Sequence, residues 1–173
     1  MRLHIGGEEI KEGWKILNIQ KKPGVDFIGD ITDLTQFDDE SLEEVYASHV
    51  LEHVGINKIA STFNGIYRIL KKGGKFYISV PNLDTLARLF VDASEGQNKQ
   101  AIMTMIYGGQ TDSHDFHYIG FWPLFLFAIL KNAKFKRYEQ VEFFNIFNDI
   151  SSLKANTPNG PIPISLNVIA YKD

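Results

Sequence analysis

Cysteine is absent from the 173 residues, which excludes disulfides, thiolate nucleophiles and Cys-ligated zinc. A surplus of positive charge is missing too: 18 basic against 21 acidic side chains leave a formal net charge of −3. A domain whose main partner is a nucleic-acid backbone carries a basic excess instead. Long apolar runs are also lacking. The greasiest stretch, 121–130, is broken by Pro123 and is half of the roughly 20 residues that a bilayer span requires. At the N-terminus Leu3, Ile5, Gly6 and Gly7 give way to Glu8, Glu9 and Glu12, without the apolar core of a secretory signal. These absences predict no nucleic-acid partner, no membrane partner and a cytoplasmic location, and they leave the oligomeric state open.

The hydrophobic content is 44%, enough to bury one core without covalent staples. A single domain over 1–173 is expected, with an insertion at about 95–118 where Gly, Gln and Asn gather around one apolar patch, 101–107. Short apolar, β-branched runs ending at turn residues predict strands at 2–5, 15–19, 26–29, 44–47 and 75–80. From Val54 to Leu70 the apolar residues Ile56, Ile59, Phe63, Ile66, Tyr67 and Leu70 recur at spacings of three and four, the signature of a helix with one buried face. Lys71, Lys72 and Gly73 are expected to close it, and Asn82 to cap the next helix. Helices at 83–91 and 121–131 and strand-like stretches at 135–144 and 164–171 complete the pattern. The fold class this predicts is α/β: a reduced, doubly wound, Rossmann-like sheet, mostly parallel, with an antiparallel C-terminal strand pair.

Four segments bear on function: Leu3-His4-Ile5-Gly6-Gly7 with Gly13-Trp14 and Asn18; Phe37 to Ser41 and on through Ser48-His49-Val50-Leu51-Glu52-His53; Tyr67 to Gly74; and Ile78 to Asn82. In this order and at these separations the chain resembles the class I S-adenosylmethionine-dependent methyltransferases, and within them a group of short bacterial predicted methyltransferases. The resemblance covers nearly the whole chain. It implies S-adenosylmethionine as cofactor and methyl transfer to an oxygen or nitrogen of a small-molecule or saccharide-type acceptor. The alternative is a catalytically degenerate binding or partner protein on the same fold. A dinucleotide-dependent oxidoreductase is a third reading, disfavoured because no G-x-G-x-x-G follows the first strand.

By that resemblance Gly6, Gly7, Asn18, Asp33, Leu34 and Ser48 would border the cofactor. Gly6 and Gly7 would admit the methionine part close to the backbone, although two adjacent glycines also make an ordinary tight turn. Asp33 and Leu34 would meet the adenine, with Asp30 the neighbouring acidic candidate. Two departures stand out. Only Glu8 to Glu12 separate Gly7 from Gly13, too few for a crossover helix, and Asn18 stands where the family has an acidic residue on the ribose. One amide oxygen holds two hydroxyls less well than a carboxylate, so an Asp at position 18 is expected to bind more tightly.

His49 directly follows a predicted parallel strand at its carboxyl end, where open α/β sheets bind ligands, and is the expected general base. His53, His114 and His117 are expected substrate contacts, although capping and hydrogen-bonding at the next helix remain open for His49, Glu52 and His53. His114 and His117 form a His-x-x-His beside Asp112 and Asp115, but in a loop this spacing lacks the i, i+4 geometry of helical zinc motifs, so no metal is expected.

Overall fold

Alternation along each short apolar run decides which side chains face which layer, because successive Cβ atoms of a strand point to opposite faces. The computed structural model describes residues 1–93 and 99–173; the expected insertion therefore lies partly outside the described residues. Five strands run parallel, β1 (Arg2–Ile5), β2 (Trp14–Asn18), β3 (Phe27–Ile28), β4 (Leu42–Ser48) and, after the helix α1 (Ile56–Ile69), β5 (Leu70–Pro81). Next come the helices α2 (Leu83–Asp92), α3 (Lys99–Tyr107) and α4 (Pro123–Asn132) and the strand β6 (Arg137–Val141). A small hairpin, β7 (Lys154–Thr157) and β8 (Gly160–Pro163), leads into β9 (Ser165–Tyr171). The main sheet has the order β3-β2-β1-β4-β5-β9-β6, with β9 antiparallel to both β5 and β6. The expected parallel sheet with an antiparallel C-terminal pair is thus present.

One sheet face carries Leu3, Ile5, Val45, Ala47, Phe76, Ile78, Leu166 and Val168, packed on Ile59, Phe63 and Ile66 of α1 and on Leu126 and Leu130 of α4. Pro123 opens α4 rather than breaking it, since a first-turn N–H has no helical partner to lose. The opposite face presents Trp14, Tyr46 and Tyr77 under Phe144, Ile146 and Phe147. His4 joins them, 4.0 Å from Phe147 and 5.0 Å from Tyr46 between ring centroids. The β1–β2 and β2–β3 connections contain no helix, so this face relies on the aromatic segment after β6, which the Tyr46 hydroxyl ties down by donating to Asp149 at 2.7 Å.

Two local expectations change. The helix α1 is not followed by a separate turn: Leu70 is already extended and pairs with Leu42, so Lys71 to Gly74 belong to β5. A shift of register between Leu42 and Glu44 absorbs the mismatch, and Gly73 supplies the left-handed residue there at φ +77°. Asn82 occupies the N-cap position of α2, but its side chain makes no capping bond; the first helical N–H, of Leu83, goes to the Phe121 carbonyl at 2.8 Å instead.

Burial holds the His4 ring down at about 4, against the pull of the Asp149 and Glu9 carboxylates. A depressed folded value means that the neutral ring is favoured in the folded protein. Its stability is fully present above about pH 6.5, where the unfolded ring titrates, and is lost as pH falls toward 4. About 3 kcal/mol is expected to disappear over that window from this group. Urea unfolding at pH 7 and pH 4 checks it: His4→Phe should lose correspondingly less stability than the parent, and an equal loss would remove His4 as the cause.

Candidate functional site

In the strand order, the chain moves outward from β1 to β2 and β3, then returns to the other side of β1 with β4. At such a reversal the connections leave the sheet in opposite directions and a crevice opens beyond the carboxyl ends of the strands. Gly6 follows β1 and His49 follows β4 at this point. Gly6 has φ +75°, and a Cβ there would lie 2.5 Å from Val50 Cγ2. His49 has φ +53°, unusual for a residue with a side chain. Its backbone N–H donates to the Ser79 carbonyl of β5 at 2.8 Å, so the strained turn is pinned from the neighbouring strand.

A cavity of about 810 Å³ extends from this crevice over the ends of β1, β2 and β3. Gly6 and Asn18 line it, as expected. Asn18 is buried; its Nδ2 donates to the Gly7 carbonyl at 3.3 Å and its Oδ1 accepts from the Gln20 N–H at 3.0 Å. The carboxamide therefore ties the loop after β1 to the end of β2, a donor-and-acceptor role that no carboxylate can fill. Gly7 lies outside the lining. Its missing Cβ leaves room for the His4 ring, which would be 2.3 Å away, so its requirement is packing.

On the far wall Asp30, Ile31 and Thr32 face the cavity, not Asp33 and Leu34. The Asp33 carboxylate accepts from the Thr35 hydroxyl at 2.7 Å and from the Thr35 N–H at 3.1 Å, and these bonds hold it below the usual carboxylate range. Leu34 is buried in the core. Ser48 ends β4 outside the cavity lining, its hydroxyl buried and without a hydrogen-bond partner among the described residues. Of the six expected cofactor residues, Gly6 and Asn18 line the cavity, and Asp30, whose carboxylate accepts from the Thr32 N–H at 2.8 Å, lines it where Asp33 was expected.

A second cavity of about 280 Å³ opens behind the first, walled by Leu86, Met105, Ile150, Leu153 and Ile164. His49, His53 and Asp115 line both. His49 Nδ1 lies 3.2 Å from Glu52 Oε1, and its Nε2 is 2.9 Å from Ser165 Oγ. The Glu52 side chain is 1% exposed, and neither oxygen accepts a hydrogen bond among the described residues. With the buried carboxylate beside Nδ1, the proton is favoured on that nitrogen, which leaves the Nε2 lone pair beside Ser165 Oγ, whose hydroxyl donates to the Ile150 carbonyl at 3.3 Å. His117 lines this second cavity with His53, their rings 4.8 Å apart. Burial keeps the His117 ring below the usual imidazole range, against the raising effect of Glu52. His114 is instead at the wall of the larger cavity, with Tyr118.

Glu52 and Ser165 were legible only as a capping candidate and as the start of a strand. Ser165 meets His49 across 116 positions of sequence, a distance at which no local pattern reports. Asp30 and Asp33 differ only in which of two successive turns points inward, which spacing cannot decide.

Residues 7–78 match the methyltransferase domain family, a segment that begins after β1 and runs into β5. No curated protein matches the chain in sequence. Among solved structures, a S-adenosylmethionine-dependent methyltransferase from Archaeoglobus fulgidus is similar at a TM-score of 0.61 and 17% identity, over 99% of this chain and 85% of that one. The YcgJ protein of Bacillus subtilis is similar at 0.59 and 14%, over 99% and 91%. Human N-acetylserotonin methyltransferase, in complex with S-adenosylmethionine, is similar at 0.54 and 14%, over 99% of this chain and 47% of its own. The strand order, the matched segment and these likenesses bear out the resemblance drawn from the motifs: the chain has the class I S-adenosylmethionine-dependent methyltransferase fold.

Proposed function

We propose that the chain is a S-adenosylmethionine-dependent methyltransferase that acts on an oxygen or nitrogen of a small-molecule or saccharide-type acceptor. The observation that carries this reading is the pair of cavities meeting at His49: a long cleft at the strand-order reversal, sized for a nucleoside with its amino-acid tail, and a smaller, largely apolar chamber behind it. The residues of the cleft fit the cofactor. Gly6 leaves the backbone open to the methionine part, Asn18 and Gln20 stand where the ribose would lie, and Asp30 to Thr32 would border the adenine. When bound, the cofactor supplies an electrophilic methyl group on a sulfonium.

The chain's own work is alignment and proton removal. Holding two reactants in line is worth roughly 7–11 kcal/mol in well-oriented systems. His49 Nε2 is the proton acceptor for a hydroxyl in the smaller chamber, with Glu52 favouring the tautomer that leaves Nε2 basic. His53 and His117 are positioned to contact the acceptor, whereas His114 belongs to the rim of the cofactor cleft. The amide at position 18 keeps the degenerate-partner reading in play, because the ribose is offered no carboxylate.

Calorimetric titration with S-adenosylhomocysteine, with nicotinamide dinucleotides as controls, tests the cleft. Gly6→Val should abolish binding with the far-UV dichroism little changed, since a side chain at that φ collides with Val50; parental affinity in the variant would move the site elsewhere. The geometry also reverses what the sequence alone predicts for Asn18→Asp. The substitution loses the donor to the Gly7 carbonyl and sets oxygen against oxygen, so binding should weaken by about 1–2 kcal/mol. Tighter binding would mean that the ribose interaction outweighs the loop tie.

For catalysis, a panel of hydroxyl- and amine-bearing small molecules and saccharides, assayed with methyl-labelled cofactor, identifies the acceptor. His49→Ala should then lower turnover by about 100- to 10,000-fold with cofactor affinity little altered. A variant turning over at the parental rate would leave alignment alone as the source of catalysis.

A further inference from the structure

A buried carboxylate with no hydrogen bond is costly, and structures that keep one ordinarily supply a cation or a donor. Glu52 is such a group: it is 1% exposed, and both oxygens lack a hydrogen-bond partner among the described residues. Among the described residues, His49 Nδ1 stands 3.2 Å from Oε1, which leaves Oε2 unaddressed.

Two imidazoles complete the surroundings. Ligand atoms of Glu52, His53 and His117 all lie within 4.8 Å of one another. His53 Nδ1 is 3.1 Å from the Phe116 carbonyl, and His117 Nδ1 is 3.1 Å from the Met105 carbonyl. A carbonyl only accepts, so in each ring the proton sits on Nδ1 and the Nε2 lone pair is free. This is the arrangement by which metal-binding histidines are oriented, with one nitrogen donating to a backbone oxygen and the other left to the metal. The backbone holds the set together: the Tyr118 N–H donates to the Glu52 carbonyl at 2.8 Å, and the His117 N–H to that of Tyr107 at 3.0 Å.

We propose that Glu52, His53 and His117 bind a divalent first-row cation, zinc or a similar ion, at the wall of the smaller cavity. Two nitrogens and one oxygen are the donor set of open, three-ligand sites. At bond lengths of about 2.1 Å, tetrahedral ligands stand about 3.4 Å apart, so small side-chain rotations close the present spacing. His49 Nδ1 also holds Glu52 Oε1, so that Oε2 meets the ion. The remaining coordination position faces the chamber that also carries His117, Met105 and Leu86. Sequence spacing pairs His117 with His114; the fold separates these two and gives His117 other partners.

The consequence for substrate choice rests on the methyltransferase reading. A cation beside the chamber selects an acceptor whose oxygen coordinates it, a hydroxyl with a second oxygen alongside, and acidifies that hydroxyl. The hydroxyl proton passes to His49 Nε2, the oxygen forms the new bond to the methyl carbon, and the carbon–sulfur bond breaks with its electron pair remaining on sulfur.

The test separates the ion from the reaction. Chelator-stripped protein is titrated calorimetrically with Zn²⁺, and with Co²⁺ while the visible absorption of the ion is followed; S-adenosylhomocysteine is titrated into the same samples. One equivalent of Zn²⁺ per chain, with a Co²⁺ spectrum of low-coordinate nitrogen and oxygen ligation, is expected. Glu52→Gln, nearly isosteric and so able to keep the fold, should weaken Zn²⁺ binding at least tenfold, as should His117→Ala, while S-adenosylhomocysteine still binds. Absence of stoichiometric Zn²⁺ and Co²⁺ binding by the parent, or undiminished binding in both variants, overturns the site. Failure of S-adenosylhomocysteine to bind the parent overturns the methyltransferase reading and leaves the metal result standing on its own.

Discussion

Everything distinctive in the molecule follows from the reversal of strand order between β1 and β4. Parallel neighbours on either side of β1 send their connections away from each other, and the gap so created cannot be filled by regular backbone. The chain answers with two left-handed residues, Gly6 and His49, one on each lip. Gly6 is there because the Val50 side chain occupies the place of a Cβ. His49 is held in the same region of backbone space by the hydrogen bond to β5, and the strain so stored points its ring into the crevice rather than along the strand.

The reduction in size is one-sided. The β1–β2 and β2–β3 connections carry no helices, whereas α1 and α4 cover the face where Leu3, Val45, Phe76 and Val168 converge. The opposite face is closed by aromatic rings delivered from the segment after β6, packed edge-on or tilted against His4, Trp14 and Tyr46. Aromatic side chains suit this task because each covers a large area with few rotatable bonds. The arrangement also explains Gly7, whose absent side chain makes space for the His4 ring, and so links the cofactor-side loop to the packing of that face.

Two buried polar side chains line the cavities, Asn18 the larger and Glu52 the smaller. Asn18 is satisfied on both its donor and acceptor sides and works as a brace. Glu52 is not satisfied, and the two histidines beside it offer lone pairs rather than protons. Other buried polar atoms, Ser48 Oγ and Ser79 Oγ among them, also lack a hydrogen-bond partner among the described residues, but a carboxylate is the most expensive of these groups to leave open.

Much of the architecture was legible in the sequence because it depends on local periodicity. The 3.6-residue recurrence from Ile56 to Ile69 allows one helix on one face, and the short β-branched runs ending at Gly, Asn or Ser allow central strands and little else. The motif order was enough to indicate the superfamily, and chain position alone put Gly6 and His49 at the carboxyl ends of β1 and β4. Tertiary structure decided the rest. Whether Asp30 or Asp33 faces the cleft depends on which turn the Thr35 hydroxyl and N–H anchor, and whether Asn18 serves a ligand or a loop depends on where the Gly7 carbonyl comes to rest. Ser165 reaches His49, and His117 reaches Glu52 and His53, only because β9 inserts beside β5 and the 107–118 segment folds back over the turn at Leu51–His53. Contacts between segments so distant in sequence are fixed by packing, and no spacing rule carries them.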